Sequence, residues 1–449
     1  MKFDSKQYED AMIKDIETLV NIPSVLAESV DGAPFGKEIR NVLEAACEIS
    51  KNLGFKPFID PDGYYGYAEI GTGDELVGIL GHLDVVPADD VENWKTDPFK
   101  ATVAEGRIYG RGTQDDKGPI VTALYAAKAL MDQGYEFNKR LRFIFGTNEE
   151  NLWEGIKKYM EKEEKPSYGF TPDSMFPMIH AEKGLLQVVL KGKGNTQVNI
   201  EAGGAFNAVP DKAAVSFAKN GLLIKALEAN DFKYKFEDDT VTVLGKAAHA
   251  ATPQHGINAI SRLAVSIQSL VEESAGLKFL SQVIATEYNG EKLIGDFKDV
   301  SGKLTLNVGK ISFNADAEEI CLDIRIPVTY KKEDVVKALT EEAAKYNLTY
   351  NEFDYLDSIY VSEDNFLVKS LMEVLKETTD MDPTPLTSGG ATYARAMENC
   401  VAFGPIFPDS VKTEHQANEY MEIKDLLKCT EIYANAIHKL TKGDMKGGI

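Results

Sequence analysis

The sequence is short of cysteine, of positive charge and of long apolar runs. Its four cysteines are scattered without a paired spacing, which argues against a zinc knuckle or a disulfide framework and predicts buried thiols. Lys and Arg number 49 against 71 Asp and Glu, so the net charge of −22 disfavours nucleic acid and anionic membranes as partners. No run of 18 apolar residues and no apolar signal core is present, so we expect no membrane span and a cytoplasmic location.

The chain nevertheless has enough apolar residues for substantial cores. Hydrophobic residues make up 43% of the 449 residues. A chain of this length is expected to form about two to three domains, which is the size of a globular enzyme.

Chemically active side chains follow two short apolar runs that are typical of buried strands. Residues 76–80 lead to His82 and Asp84, and residues 141–145 lead to Glu149 and Glu150. Ligands of open α/β sheets bind at the carboxyl ends of strands. A glycine-rich loop then carries Asp115 to a helix predicted over 120–131, which begins after a proline.

Each of these residues taken alone has a simpler structural explanation. The alternatives are a surface pair for His82 and Asp84, a helix cap for Asp115, first-turn acids for Glu149 and Glu150, and a turn for Asp173. Their joint occurrence in this order, with a late His415, instead indicates a carboxylate-rich dinuclear metal site. Histidine and carboxylate are the ligands that zinc-like ions accept.

Five sequence blocks carry a family resemblance. GHLDVVPA, GRGTQDDKGP, TNEEN, GFTPDSMFP and TEHQANEY resemble co-catalytic metallopeptidases of the aminoacylase and carboxypeptidase G type, most closely the PepV-like dipeptidases. The match extends from residue 21 to residue 420. It implies an α/β fold in which a discontinuous di-metal catalytic domain, a mixed sheet flanked by helices, receives an inserted α+β lid domain.

The resemblance also implies two divalent cations per chain, with zinc expected and with manganese and cobalt accepted by the same ligands. One cation would be held by His82, Asp115 and Asp173. The other would be held by Asp115, Glu150 and His415, so that Asp115 bridges the two. In the family, the peptide bond after this bridging aspartate is cis.

Catalytic roles follow from the same resemblance. Glu149 would be the general base for a water shared by the cations. Asp84 would accept a hydrogen bond from His82 and fix its tautomer. His249, which lies in a run of alanines, would stabilise the oxyanion, although a polar side chain in a small-residue turn is the alternative.

Three further positions match the family pattern for substrate binding. Arg325 would bind the carboxylate of a dipeptide through its guanidinium fork, with a surface strand arginine as the alternative. Asn207 would contact the substrate, and Gly389 would line the pocket at a strand-to-helix turn, each with a plain turn as the alternative. A phosphate-binding loop near Gly389 is discounted because no lysine follows in the required pattern.

The order of the ligands predicts the domain organisation. Because residues 82–173 and residue 415 must converge, we predict a catalytic domain over 1–183 and 357–449 and an inserted lid over 184–356. Within the lid we predict strands near 185–191, 196–201, 213–218, 240–245, 303–313 and 317–326, and helices near 257–272 and 332–345. By resemblance this long lid is doubled and supplies His249 from the same polypeptide, so we expect a monomer.

The function expected from this resemblance is metal-dependent hydrolysis of dipeptides that have a free amino terminus. An amide deacylase of the desuccinylase or aminoacylase type is the alternative within the same chemistry. A metal-binding or peptide-binding protein without turnover is the alternative outside it, and the presence of Glu149 argues against that reading.

Overall fold

The structure, a computed structural model, describes residues 4–88 and 91–442. The chain divides into two compact units. The first unit contains the described residues up to His180, Val361–Leu386 and those from Thr392 onwards, and the second contains Ala181–Tyr360 and Thr387–Ala391. The second unit thus begins and ends within four residues of the lid predicted over 184–356, and it also takes a short segment that the sequence does not mark.

The helices of the described residues vary widely in length. The α-helices are α1 Glu9–Val20, α2 Lys37–Asn52, α3 Lys117–Asp132, α4 Glu154–Lys162, α5 Asn220–Ala229, α6 Ala259–Ile267, α7 Ala275–Phe279, α8 Glu291–Ile294, α9 Lys332–Lys345, α10 Phe366–Thr378 and α11 Ile423–Lys442. Short 3₁₀ turns cover Ser5–Tyr8, Val91–Asn93, Pro253–His255, Gln268–Leu270 and Tyr393–Ala396, and a π-helical turn covers Leu280–Ile284. Within the described residues, no helix combines the length and apolarity needed to cross a bilayer.

In the described part of the chain as far as residue 193, the strands are β1 Lys56–Ile59, β2 Gly66–Ile70, β3 Leu76–His82, β4 Thr102–Ala104, β5 Arg107–Tyr109, β6 Arg140–Gly146, β7 Tyr168–Thr171, β8 Ser174–Met175, β9 Ile179–Glu182 and β10 Gly184–Lys193. The later strands are β11 Ile200–Gly203, β12 Ala208–Val209, β13 Lys212–Ser216, β14 Tyr234–Glu237, β15 Thr240–Leu244, β16 Ala248–His249, β17 Lys298–Asp299, β18 Gly302–Lys303, β19 Thr305–Phe313, β20 Ala317–Ile326, β21 Thr349–Leu356, β22 Ile359–Tyr360, β23 Leu386–Ser388, β24 Cys400–Ala402, β25 Pro405–Ile406 and β26 Tyr420–Glu422.

The first unit is built on a mixed sheet with the strand order β1-β2-β6-β3-β7-β24-β9. Its centre, β6-β3-β7-β24, is parallel, and the strands on either side are antiparallel. β3 is buried along its whole length, as the apolar run over 76–80 predicts, because parallel strands are covered on both faces. The predicted α/β fold with a mixed sheet and flanking helices is confirmed.

The register of this sheet gathers the predicted ligands at one edge. His82, the last residue of β3, pairs with Gly146, the last residue of β6. On the other side of β3, Ile79 pairs with Phe170 of β7. Because these strands run parallel, the residues that follow β6 and β7 leave the sheet beside His82.

Helix α3 forms the apolar support below this edge. Its residues are buried from Lys117 to Ala127, and it packs against β3, α1 and α11. The helix predicted over 120–131 is therefore present and begins three residues earlier, at Lys117.

The second unit has its own core between a sheet and its helices. The sheet has the order β11-β19-β20-β10-β21, is antiparallel throughout, and is accompanied by the three-stranded sheet β13-β15-β14. Apolar side chains of β10, β19 and β20 pack with those of α6 and α9 in one hydrophobic cluster. The predicted helix over 257–272 is shorter, since α6 ends at Ile267 and a 3₁₀ turn follows.

Candidate dinuclear metal site

His82 stands at the centre of the candidate site in the first unit. Its side chain is fully buried, and its Nδ1 lies 2.9 Å from the main-chain oxygen of Asp84. Because a carbonyl only accepts, Nδ1–H donates to it, and this contact fixes the ring with Nε2 turned towards the carboxylates. That Nε2 lies 2.8 Å from Asp115 Oδ1 and 3.8 Å from Asp173 Oδ2, in the orientation of a metal ligand.

Asp84 orients the site in a different way from the one expected. Its carboxylate lies 3.6 Å from His82 Nδ1, so the hydrogen bond that fixes His82 goes to the Asp84 carbonyl instead. The two carboxylate oxygens accept hydrogen bonds from the backbone nitrogens of Glu149 and Glu150, at 3.0 and 3.1 Å. The Asp84 side chain therefore holds the loop that carries both glutamates, and it does not hold the His82 ring.

Asp115 lies between two imidazoles. Its Oδ1 contacts His82, and its Oδ2 lies 3.0 Å from Nε2 of His415. Burial alone would raise the pKa of Asp115, but the hydrogen bonds with His415 and His82 hold that pKa well below its usual range. The Asp115–Asp116 peptide bond is cis, as the resemblance implies.

The remaining predicted ligands complete this cluster. His415 Nε2 also lies 3.0 Å from Glu150 Oε1. Burial lowers the pKa of His415, but hydrogen bonds with Asp115 and Glu150 outweigh it and raise that pKa to about 11. Among the described residues, ligand atoms of His82, Asp115 and Glu150 lie within 4.8 Å of one another, and so do those of His82, Glu149 and Asp173.

The electrostatics of the cluster fit divalent cations. Burial raises the pKa values of Glu149 and Asp173 well above their ordinary range, and neighbouring carboxylates, Asp115 among them, raise both further. Within the described ranges, no Lys or Arg ion pair involves these carboxylates, so only the two imidazoles offset their charge. Imidazole nitrogens and carboxylate oxygens held this closely suit zinc, manganese or cobalt.

The four remaining site candidates lie together in the second unit. Asn207 precedes β12, whose Ala208 pairs with His249 of β16, and the main-chain oxygen of Asn207 accepts a hydrogen bond from Ala250 at 2.8 Å. A Cβ on Gly389 would come within 2.9 Å of the Ala251 methyl group, so glycine permits this close approach. The structure thus brings Asn207, His249 and Gly389 into one neighbourhood.

The imidazole of His249 is set up as a hydrogen-bond donor. Its Nδ1 accepts a hydrogen bond from the backbone nitrogen of Ala251 at 3.1 Å, so the ring proton resides on Nε2. Burial lowers the pKa of His249, and the nearby Arg325 guanidinium lowers it further. The ring is therefore neutral near pH 7 with a free Nε2–H, which is the form needed to donate to an oxyanion.

Arg325 is neither a surface arginine nor an unoccupied fork. Its side chain is only 2% exposed, and its Nε and Nη2 donate to the Asp323 carboxylate at 2.6 and 3.0 Å. Nη1 donates to the Gly389 carbonyl at 2.7 Å. Three of its five N–H groups are thus already used, and any substrate carboxylate would be bound by the remaining two. Asp323 was missed, although its i,i+2 spacing from Arg325 places both on one face of β20.

Several buried polar residues next to the ligands were also missed. They are Gln114, Lys117 and Glu419, and each lies within a sequence block already quoted for its ligands. Lys117 donates to the main-chain oxygens of Leu19 and Ile22, at 3.0 and 2.8 Å, and burial lowers its pKa to about 7. Burial raises the pKa of Glu419 to about 7 against the opposing effect of Arg111. The signal in the sequence that could have identified these residues was their position within the blocks that carry predicted ligands.

Comparison with known proteins gives a consistent result. The profile of Peptidase family M20/M25/M40 matches residues 78–439. A Bacillus subtilis (strain 168) protein named "Putative dipeptidase YtjP" is 36% identical over 460 residues, covering 97% of this chain and 98% of its own.

Solved structures at lower identity share the fold. The dipeptidase Dug1p of Saccharomyces cerevisiae superposes with a TM-score of 0.61 at 14% identity, covering 98% of this chain and 97% of its own. YXEP of Bacillus subtilis, described as a dinuclear metal-binding peptidase, superposes with a TM-score of 0.53 at 13% identity, covering 97% and 99%.

Proposed function

Because the chain belongs to Peptidase family M20/M25/M40, we propose that it hydrolyses dipeptides that carry a free amino terminus, with Glu149 as the general base. It is a metallopeptidase of that family, and the Bacillus subtilis relative, which matches over 97% of this chain, carries the name "Putative dipeptidase YtjP". The observation that carries the proposal is the Asp115 carboxylate, which has one oxygen on His82 and the other on His415. A carboxylate with one oxygen directed at each imidazole can bridge two adjacent cations of the kind that act together in two-metal sites.

The ligand sets proposed are those of the sequence prediction. His82, Asp115 and Asp173 would hold one cation, and Asp115, Glu150 and His415 would hold the other. When bound, the pair supplies Lewis acidity, which polarises the scissile carbonyl and lowers the pKa of water toward neutrality. The distances among these side chains support the assignment.

Glu149 is proposed to move the proton. Its carboxylate lies within 4.8 Å of the ligand atoms of His82 and Asp173, and its backbone is held by Asp84. Burial raises the pKa of Glu149 above its ordinary range against the opposing effect of His82. We assign to this carboxylate the transfer of a proton from water to the leaving amine. A glutamate whose pKa is raised is suited both to accepting the proton from water and to donating it to the leaving amine.

The second unit would contribute binding and oxyanion stabilisation. We assign the oxyanion donor to His249, because its Nδ1 is already occupied and Nε2–H remains free. We assign recognition of the substrate carboxylate to Arg325 with Asn207 and Gly389, and the two uncommitted N–H groups of Arg325 set its capacity.

Three finer statements belong to the same proposal. Zinc is the expected cation, since histidine and carboxylate ligands suit it. A cytoplasmic location is supported by the four cysteines, which are buried thiols and form no disulfide among the described residues. A monomer is supported by the length of the second unit, because in the PepV-like enzymes that the chain resembles a long lid supplies the histidine corresponding to His249 from the same polypeptide.

The direct test is turnover by the full chain after its metals have been removed. The protein would be supplied with zinc, manganese or cobalt one at a time and assayed on a panel of unblocked dipeptides. The matched panel would contain the same amino acids carrying N-acetyl or N-succinyl groups. We expect hydrolysis of the unblocked dipeptides with at least one cation.

Two other outcomes would count against the proposal in different ways. Hydrolysis of only the acylated amino acids would favour the deacylase alternative. No hydrolysis of either panel with any of the three cations would overturn the peptidase assignment.

A further inference from the structure

A buried carboxylate lies directly behind the bridging aspartate. Glu419 is fully buried, and its Oε1 accepts hydrogen bonds from the backbone nitrogens of Gly112 at 3.0 Å, Gln114 at 2.9 Å and Asp115 at 3.3 Å. Its Oε2 accepts a hydrogen bond from Arg111 Nη1 at 2.7 Å. Both oxygens are therefore committed to the loop that ends at Asp115.

The loop that carries Asp115 returns the contact. Gln114 is 4% exposed, and its Oε1 accepts hydrogen bonds from the backbone nitrogens of Thr413 at 2.6 Å and Glu414 at 2.9 Å. Its Nε2 donates to the main-chain oxygens of Val411 and Tyr420, at 3.2 and 3.3 Å. The Gln114 amide is thus used at both ends on the loop that carries His415.

These two residues form a reciprocal clasp between two ligand-bearing loops, 110–116 and 411–420. Each loop inserts one side chain into the backbone of the other, and between them Asp115 Oδ2 lies 3.0 Å from His415 Nε2. Arg111 extends the clasp to the loop after His82, since its Nη2 donates to the Pro87 carbonyl at 3.3 Å. Three segments that carry predicted ligands therefore meet at one buried set of hydrogen bonds.

We propose that Gln114 and Glu419 are positioning residues of the metal centre, and that they set the separation of Asp115 and His415 and hence the affinity for the two cations. This inference rests on the proposed metal ligands. Neither side chain approaches a cation itself in this scheme. Hydrogen-bonded supports of metal ligands typically change metal affinity by about 10–100-fold when they are replaced.

The chemistry of the clasp requires these residue types. Both carboxylate oxygens of Glu419 accept hydrogen bonds from N–H groups. An amide nitrogen in place of either oxygen would meet another donor and leave buried groups unpaired. Gln114 faces donors on its oxygen and acceptors on its nitrogen, so only an amide satisfies both sides. Glutamate and glutamine are therefore not interchangeable at these two positions.

The two residues should affect the two cations differently. Glu419 holds the backbone of Asp115, which is shared by both predicted ligand sets. Gln114 holds the loop of His415, which belongs to only one set. Loss of the Glu419 contacts should lower the affinity for both cations. Loss of the Gln114 contacts should lower mainly the affinity for the cation held by His415.

The experiment measures two zinc dissociation constants by equilibrium competition between the full chain and a chelating dye. For Glu419→Gln we expect both constants to rise by about 10–100-fold, and for Gln114→Ala we expect a rise of that size in one constant only. Glu422→Gln is the matched control for the first, because Glu422 is a half-buried glutamate on β26 paired with Arg107 at 2.8 Å. Gln416→Ala is the control for the second, since its side chain reaches only the Lys412 carbonyl.

The outcomes separate this inference from the proposed function. If the unaltered chain binds no zinc, the proposed metal centre itself is ruled out. If it binds two zinc ions and both variants bind them with unchanged constants, the clasp has only a structural role and the inference is overturned, even if the melting temperature falls. If Glu419→Gln does not fold, the decision passes to Gln114→Ala, and a rise in one constant relative to Gln416→Ala supports the inference.

Discussion

At the scale of single residues, the carboxylates of the metal site differ in what surrounds them. Two imidazoles hold the pKa of Asp115 low, whereas burial and neighbouring acids raise that of Glu149. Environments that push two carboxyl groups apart in this way assign them different roles. Asp115 is suited to permanent ligation, and Glu149 is suited to carrying a proton.

Replacement of Glu149 tests this division of roles. Glu149→Gln should lower kcat by about 10²–10⁴-fold, because the base that accepts the water proton is removed. The zinc content, measured by atomic absorption, should stay at that of the unaltered chain. Glu154→Gln, an exposed position in the first turn of α4, is the control and should change neither quantity. Retention of full turnover by Glu149→Gln would rule out its role as the base.

The ion pair of Asp323 with Arg325 gives a second prediction at this scale. Both side chains are almost fully buried, so Asp323→Asn would leave a buried guanidinium without its counter-charge. The free energy of unfolding, from chemical denaturation, should fall by about 3–5 kcal/mol. The exposed pair of Glu352 with Lys332 is the control, and Glu352→Gln should cost less than about 1 kcal/mol. Equal effects would show that burial of the Asp323 pair is unimportant.

Candidate ligands could be identified from the sequence more readily than the residues that support them. Ligands such as His82 and Asp115 lie at strand or helix ends in long specific blocks. The supports depend on which backbone atom a side chain reaches, as when Asp84 binds the N–H groups of Glu149 and Glu150 rather than His82. That choice is made by tertiary geometry, and a one-dimensional pattern does not contain it.

At the scale of elements, two helices offer a matched test of close packing. Gly118 and Gly221 are each the second residue of their helices, α3 and α5. A Cβ at Gly118 would overlap the Thr113 carbonyl oxygen, whereas a Cβ at Gly221 would meet no atom within 4 Å. Local sequence does not distinguish these two glycines.

Alanine substitution should therefore have opposite effects at the two positions. Gly118→Ala should lower the free energy of unfolding by about 1–3 kcal/mol, because the loop before α3 must shift. Gly221→Ala should raise it by about 0.5–1 kcal/mol, because alanine favours a helix over glycine. Chemical denaturation of both variants measures the difference. Effects of the same sign would contradict the packing described for Gly118.

Among the strands, β3 and β6 were predicted from the sequence, whereas β14 and β21 were missed. β3 and β6 are apolar and buried, so their patterns are clear. β14 and β21 each lie at the edge of a sheet in the second unit and are largely exposed. Their charged residues are compatible with an edge strand, which pairs on one side only, and they obscure the alternation that predicts a strand.

At the scale of the whole molecule, the sequence predicts a discontinuous catalytic domain because distant ligands are expected to converge. In the structure, the described residues up to His180 and those from Thr392 onwards belong to one unit. The segment Thr387–Ala391 could not be assigned in this way. Its place in the second unit depends on contacts such as that between Arg325 and the Gly389 carbonyl, which become visible only in three dimensions.

Metal removal should affect the two units unequally. The predicted ligands all lie in the first unit, so each zinc ion, at 100 times its dissociation constant, should stabilise that unit by about 2.7 kcal/mol. In hydrogen exchange, a chelator should accelerate amides in loops 110–116 and 411–420. Amides of β19 and β20 in the second unit should keep their rates and serve as the internal control. Uniform acceleration across both units would contradict the assignment of the cations to the first.

The packing of α3 against α11 has a consequence for how the polypeptide is made. A ribosome synthesises α3 long before the helix that covers it, Ile423–Lys442. Until then the nascent chain exposes an almost wholly apolar helix next to an incomplete set of ligands. We therefore expect the first unit to complete its fold only after α11 has been synthesised, and until then the apolar surface of α3 needs shielding by other molecules.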